Sequence, residues 1–97
     1  MDHEKNMRRA HEAERILGND LFVEAFATLR DGYTKMWQNS GVLDTDAREV
    51  AYRGLRTLEA VRKHFENVIT TGKISEAEIK AMQDQKPGLV ERLRRAV

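Results

Sequence analysis

Several residue types are absent or rare in this chain of 97 residues, and each absence excludes a class of structure. There is no cysteine, which excludes disulfides, thiolate metal sites and thiol nucleophiles and fits a reducing cytosol. The longest apolar run is Leu21-Phe22-Val23, and no apolar segment follows the first charged residues. A membrane span or a secretory signal needs a much longer run. We therefore expect a cytoplasmic protein with no membrane partner.

Proline and glycine are also scarce, with one proline and six glycines to interrupt the chain. β-branched and aromatic residues never alternate with polar ones over the length of a strand. These two features predict an all-α fold. Charge of one sign is not in excess either, because 17 basic residues face 16 acidic ones and give a net charge of +1. A chain covered by phosphate contacts usually carries more positive charge than this, and an acidic DNA mimic is equally unsupported.

The strongest pattern present lies in residues 46–71, where small and apolar residues recur at alternating steps of four and three. This spacing predicts a helix that keeps one side towards a partner helix. Residues 21–38 carry a matching stripe, and the turn at 39–45 is short enough to make the two helices antiparallel. The sequence thus predicts a helical hairpin over residues 20–72. Its core or oligomerisation residues are Phe22, Phe26, Leu29, Leu55, Leu58, Val61 and Phe65.

Local signals place the ends of these helices. Asn19 or Asp20 suits the N-cap of the second helix, and Asp46 with Glu49 three residues later suits a capping box for the third. Gly32 and Gly54 lie on the two facing stripes and predict a close crossing of the helix pair.

Two shorter helical segments and a tail are expected to flank the hairpin. Residues 1–19 predict an N-terminal helix over 3–17 with a thin apolar stripe, ended by Gly18. Gly72 suits the end of the third helix, and Ser75, as N-cap, would start a short capped helix within residues 73–86. A break at 86–88 would then precede an amphipathic basic tail at 87–97. The apolar side of that tail holds Leu89, Val90, Leu93 and Val97.

No residue pattern in the chain predicts catalysis, a metal site or a cofactor. The histidines His3, His11 and His64 lack the spacing of a zinc motif. Asp44 and Asp46 flank a helix start, where aspartate is expected for capping, which favours a structural role over an acid–base pair. There is no activated nucleophile, phosphate loop or dinucleotide motif. We expect a protein that is not an enzyme.

Basic residues occur in two places where nucleic acid contact is conceivable. Arg53, Arg56 and Lys63 share one strip of the third helix, but Glu49 and Glu59 precede Arg53 and Lys63 by four residues, which favours a solvated, neutralised surface. Three tail arginines are less compensated. For this tail group, solubility and contact with DNA, RNA or an acidic partner remain equal alternatives. The group consists of Arg92, Arg94 and Arg95.

The hairpin has more apolar residues than one seam between two helices can bury. A core of this size seldom supplies more than a few kcal/mol. The surplus residues are Leu21, Val23, Ala27, Val50, Leu55 and Ile69. Either the flanking helices or other copies of the chain must cover them, and we expect a homo-oligomer.

The runs ERILGNDLFVEAFATLRDGYTKMW (14–37) and DTDAREVAYRGLRTLEAVRKHFENVITTGKI (44–74) resemble small proteins of phage and prophage head-packaging regions. The architecture is similar to the oligomerisation core of small terminase subunits, including those of gene transfer agents. That resemblance implies hairpins assembled into a ring in a bacterial host cell, working with the motor ATPase of the large terminase. Small terminases commonly carry an N-terminal helix-turn-helix domain, and residues 1–19 are too short for one.

The sequence and the resemblance together predict a non-enzymatic oligomeric adaptor in phage-like DNA packaging. The hairpin would assemble the oligomer, and the tail would engage the motor ATPase as an amphipathic ligand. DNA contact would be weak and sequence-independent. Two alternatives remain: a small helical regulator or inhibitor that binds a host protein, and a nonspecific nucleic acid binder.

Overall fold

The protein consists of three α-helices in the computed structural model, which describes the backbone of residues 2–96 and the side chains of residues 2–84. The helices are α1 (His3–Leu17), α2 (Asp20–Gln38) and α3 (Thr45–Ala96). The described part of the chain contains no strand. The predicted all-α class is therefore confirmed.

The ends of α1 and α2 follow the local signals of the sequence. The side chain of Asp2 caps α1 by accepting a hydrogen bond from the backbone N–H of Lys5 at 3.0 Å. Asn19 caps α2 by accepting from the N–H of Phe22 at 3.1 Å, so Asn19 rather than Asp20 is the cap. Gly18 ends α1 as predicted, and its backbone lies in the right-handed helical region, with a φ of −92°. The break between the two helices is thus only two residues long.

Both α1 and α2 pack along the long helix α3, one after the other, and they hardly contact each other. Phe22 of α2 meets Phe65, and Tyr33 lies over Gly54. These two contacts show that α2 runs antiparallel to the part of α3 that it covers. The same holds for α1, whose residue Asn6 bonds to Ser75. Helix α2 covers the first half of α3, and α1 covers the segment up to Glu78.

The predicted end of the third helix at Gly72 is wrong, because α3 continues without interruption to Ala96. Gly72 is buried, and a Cβ there would collide with the Cβ of Ala10 and lie 2.9 Å from the carbonyl oxygen of Asn6. Its small size serves the contact between α1 and α3 rather than a helix end.

The predicted start of a new helix at Ser75 is wrong for a related reason. Ser75 is fully buried inside α3, where its hydroxyl accepts a hydrogen bond from Asn6. Ile74 is half exposed within the same continuous helix. A hydrophobic staple forms at a helix start, and no helix starts here. Helix α3 also includes residues 86–88, where a break was expected. A proline removes one backbone donor, and its effect on the chain path depends on its surroundings.

The start of α3 also differs from the prediction, by two residues. The carboxylate of Asp44, not that of Asp46, caps the helix by accepting from the N–H of Ala47 at 3.1 Å. Asp46 lies inside the first turn of α3. Glu49 bonds to Arg53 at 3.0 Å instead of returning to the cap. Asp44, Thr45 and Asp46 are all residue types that can cap a helix. Helix α3 begins directly after the first of them.

The molecule is a rod rather than a compact globule. It measures 83 × 25 × 18 Å, with a radius of gyration of 22.7 Å. A compact chain of this length has a radius of gyration of roughly 12.5 Å. In the part of the chain whose side chains are described, the buried hydrophobic residues are Ala10, Ala13, Ala51 and Leu58. The core is thus a thin seam along α3. Over the described residues, no helix combines the length and hydrophobicity that crossing a membrane requires.

Candidate interaction surfaces

The seam between α2 and α3 is aromatic at one end and close-packed at the other. The rings of Phe22 and Phe26 lie 5.2 Å apart, and Phe22 meets Phe65 edge-on at 5.7 Å. Further along, the Tyr33 ring sits over Gly54, where a Cβ would lie 2.6 Å from the ring atom Cδ1. Edge-on aromatic pairs and small residues both favour a close helix crossing.

The predicted core residues fall into two groups in this structure. Most of them contribute to packing within the chain, since Leu58 is buried and four others are half-buried. The half-buried residues are Phe22, Phe26, Leu55 and Phe65. Leu29 and Val61 remain exposed. Gly32 was expected to face Gly54, and this is wrong, because no atom lies within 4 Å of a Cβ built at Gly32. Tyr33 occupies the position over Gly54, and the preceding residue, Gly32, lies on the open side of α2.

The seam between α1 and α3 is polar and built from small residues, unlike the one beside it. The side-chain amide of Asn6 donates to the hydroxyl of Ser75 at 3.0 Å, and Nε2 of His3 lies 3.2 Å from the carboxylate of Glu78. Ala10 and Ala13 supply the buried apolar contact. The sequence stripe of α1 omitted His3 and Asn6, because polar residues were assigned to solvent. Their regular spacing with Ala10 and Ala13 was the available signal.

An exposed apolar face lies on the side of α2 that α3 leaves uncovered. Leu21 is 75% exposed, Leu29 50% and Met36 41%. An open groove lies beside Leu21. It is lined by Leu21, Ala25 and Leu29, together with Glu24 and Thr28. Single exposed apolar residues are common, but a continuous apolar face marks an interaction site.

A second exposed apolar feature is the tip of the turn between α2 and α3. Val42 is 89% exposed and Leu43 93%. The turn is held in shape by Arg48, which donates to the carbonyl of Val42 at 3.0 Å, and by Ser40, whose hydroxyl donates to the carbonyl of Trp37 at 2.6 Å. Sequence reasoning missed this feature, although two aliphatic residues between Gly41 and Asp44 stand out in an otherwise polar turn.

Ion pairs neutralise part of the basic strip on α3. Arg53 bonds to Glu49 at 3.0 Å, as expected. Glu59 bonds to Arg62 at 2.9 Å instead of the expected Lys63. Within residues 2–84, Arg56 and Lys63 have no ion-pair partner. Lys63 lies close enough to Glu59 to lower the pKa of that carboxylate, after the larger effect of the hydrogen bond from Arg62.

Two exposed arginine–glutamate pairs perturb the ionisation of their carboxylates. The hydrogen bond from Arg15 lowers the pKa of Glu12, and that from Arg62 lowers the pKa of Glu59. The arginine pKa values rise for the same reason. Both pairs lie on the solvated sides of their helices, where water and salt screen the contact and leave it a minor contribution to helix stability. They point to no catalytic site.

The histidines and acidic residues do not converge on a metal site in the part of the chain described here. No group of three or more histidine, aspartate or glutamate side chains comes together there. The side chains proposed for the tail lie outside the described residues. They are Leu89, Val90, Leu93 and Val97 on the apolar side, and Arg92, Arg94 and Arg95 on the basic side.

The features that the structure offers for binding are therefore the exposed face of α2 and the apolar tip of the turn. Comparisons with protein-family models, with curated proteins and with solved structures find no match to this chain.

Proposed function

We propose that this chain is a self-associating, non-enzymatic helical adaptor, whose assembling core is the hairpin of α2 and α3. The observation that carries the proposal is the uncovered apolar face of α2, which includes Leu21, Leu29 and Met36. A soluble monomer rarely leaves so continuous an apolar face in water. A second copy of the chain would cover it.

The accessible surface of the elongated chain is large enough to supply an interface. The chain exposes 8028 Å², whereas a compact monomer of 11.2 kDa exposes roughly 5,700 Å². The difference, roughly 2,300 Å², exceeds the ~800 Å² that each partner buries in a standard interface. A rod with a thin seam gains this burial only by associating with another molecule.

The cellular setting of the proposal comes from the sequence resemblance alone. Under that resemblance, the oligomer would serve a phage-like DNA-packaging machine, with the motor ATPase of the large terminase as its partner. The segment 87–97 would bind this motor ATPase. Any contact with DNA would be weak, nonspecific and sensitive to salt.

The first test is the absolute mass of the full chain, measured by light scattering after gel filtration over a range of concentrations. We expect a multimer that persists on dilution. A monomer throughout would overturn the proposed assembly. The second test truncates the chain after Lys86 and measures binding to the large terminase of the same genome. Retention of the oligomer with loss of binding is the expected result, and an unchanged binding curve would remove residues 87–97 from the mechanism.

A second function, a small regulator that binds a host protein, is favoured by the tip of the turn. Val42 and Leu43 are almost fully exposed on a turn whose carbonyl groups at Gly41 and Val42 accept hydrogen bonds from Arg48, and Trp37 is exposed at the end of α2. A rigid apolar loop loses little entropy when it enters a pocket of another protein. A monomeric chain that binds its target through Leu43 would favour this function over the adaptor.

A further inference from the structure

The exposed face of α2 carries a pattern that specifies how a second copy would bind. Five residues define this face, here termed the α2 stripe: Leu21, Ala25, Leu29, Gly32 and Met36. Steps of four, four, three and four keep them on one side of the helix. All five are exposed in the structure. Gly32 lies in open space, with no atom within 4 Å of a Cβ built there.

Four of the five residues of the α2 stripe pair by size about its midpoint, which falls between Thr28 and Leu29. Reflection about this point places Leu21 on Met36, a large residue on a large one, and Ala25 on Gly32, a small residue on a small one. The fifth residue, Leu29, falls on Thr28, which lines the groove beside the stripe. An isologous interface requires a surface that is complementary to itself under a two-fold rotation. The α2 stripe meets this requirement for two helices that run in opposite directions.

Charge along the border of the stripe agrees with the same arrangement. Glu24 lies four residues after Asp20 and edges the groove, and it has no ion-pair partner within residues 2–84. Lys35 lies near the opposite end of α2 and bonds to Asp31 at 2.9 Å. In the antiparallel register Glu24 of one copy comes within a turn of the partner's Lys35, and symmetry forms the contact twice. In a parallel pairing about a two-fold along the helices, Glu24 and Lys35 of the two copies would lie on opposite flanks of the interface, and this contact would not form.

We propose that two copies of the chain bind through the α2 stripe, antiparallel about a two-fold axis between Thr28 and Leu29. Gly32 of each copy then faces the partner's Ala25, and these small residues let the helices approach closely. The groove beside Leu21 receives the partner's Met36. This inference rests on the proposed self-association and names the surface that performs it.

Because the chain has no cysteine, single cysteines test the register directly. The two variants are Ala25→Cys and Gly32→Cys, oxidised separately and as an equimolar mixture. A disulfide needs Cβ atoms ~3.5–4.5 Å apart. The mixture should give at least tenfold more covalent dimer than either variant alone. Dominant self-linking of Ala25→Cys would indicate a parallel pairing and overturn the inference. Lys63→Cys, on an exposed part of α3, is the control for random collision.

A charge substitution separates this inference from the proposed function. Leu29→Glu should reduce the assembly by at least tenfold in association constant while helical content, measured by circular dichroism, stays unchanged. Leu43→Glu, at the tip of the turn, is the matched control and should leave the mass unchanged. If Leu29→Glu retains the full multimer, assembly uses another surface, and the inference fails while self-association stands. If the unmodified chain is a monomer, both fail.

Discussion

The side-chain amide of Asn6 donates a hydrogen bond of 3.0 Å to the hydroxyl of Ser75, which lies 69 residues further along the chain. This contact fixes the register of α1 on α3. It also shows why Ser75 tolerates burial in the middle of a helix, where a serine is otherwise unfavourable. The contact belongs to a polar seam in which Ala10 and Gly72 provide the close approach. The position of α1 therefore depends on close packing and hydrogen bonding as well as on the burial of Ala10 and Ala13.

Substitution of Asn6 or Ser75 tests the strength of this contact. We expect Asn6→Ala and Ser75→Ala each to lower the free energy of unfolding by about 1 kcal/mol, the usual net value of a hydrogen bond. In the double variant the losses should not add, with a coupling of at least about 0.5 kcal/mol. Urea unfolding followed by circular dichroism provides the measurement. Strict additivity would show that the bond does not contribute to stability.

Substitution of Gly72 tests the close packing of α1 on α3. Gly72→Ala places a methyl group against Ala10, and overpacking of this kind costs ~1–3 kcal/mol. The higher helix propensity of alanine offsets up to about 1 kcal/mol of that loss. We expect faster amide hydrogen exchange in α1 and unchanged exchange in α2.

Gly32→Ala, measured at a concentration at which the chain is monomeric, is the control for Gly72→Ala, because it offers the same propensity gain at a position with no neighbouring atom within the chain. It should leave exchange in α1 unchanged. If Gly72→Ala leaves α1 equally protected, the two helices can shift apart without loss, and the glycine is not required for their contact.

The sequence predicted the helix type and the extent of α1 well, because those depend on neighbouring residues. The all-α class, the residues of α1 and a cap for α2 at Asn19 or Asp20 all follow from local patterns, whereas the starts predicted at Asp46 and Ser75 were wrong. The continuity of α3 through Gly72 could not be predicted in the same way. A glycine followed by a serine and glutamates is a valid helix boundary in isolation, and only the packing of α1 over Gly72 gives those residues another role.

The same limit applies to the candidate interaction surfaces, because packing between helices decides which apolar residues stay exposed. Periodicity identified the apolar residues of α2 but not which of them meet α3. Phe22 packs against Phe65 of α3, whereas Leu29 is half exposed, although both belong to the predicted stripe of α2. How α2 lies on α3 decides this division, with Phe22 against Phe65 and Tyr33 over Gly54, and no pattern within a single helix encodes it.

The arginine–glutamate pairs predict a modest dependence of stability on pH. The pKa values of Glu12 and Glu59 in the folded chain lie below the ordinary value of 4.5. Their contribution to stability is therefore complete above that value and disappears as the pH falls through the lowered pKa values. NMR titration of the side-chain carboxyl groups measures both. Arg15→Ala should return the pKa of Glu12 towards 4.5 without affecting Glu59, and Arg62→Ala should do the reverse.

The start of α3 provides the sharpest test, because two neighbouring aspartates compete for one role. Asp44 accepts the hydrogen bond from the N–H of Ala47, so Asp44→Ala should cost about 1 kcal/mol of unfolding free energy. Asp46→Ala should cost less than half of that, since Asp46 only interacts with the helix dipole and alanine has the higher helix propensity. Asp44→Asn retains the capping oxygen and should be close to neutral. Urea midpoints of the three variants give the order directly, and a larger loss from Asp46→Ala than from Asp44→Ala would move the cap to Asp46.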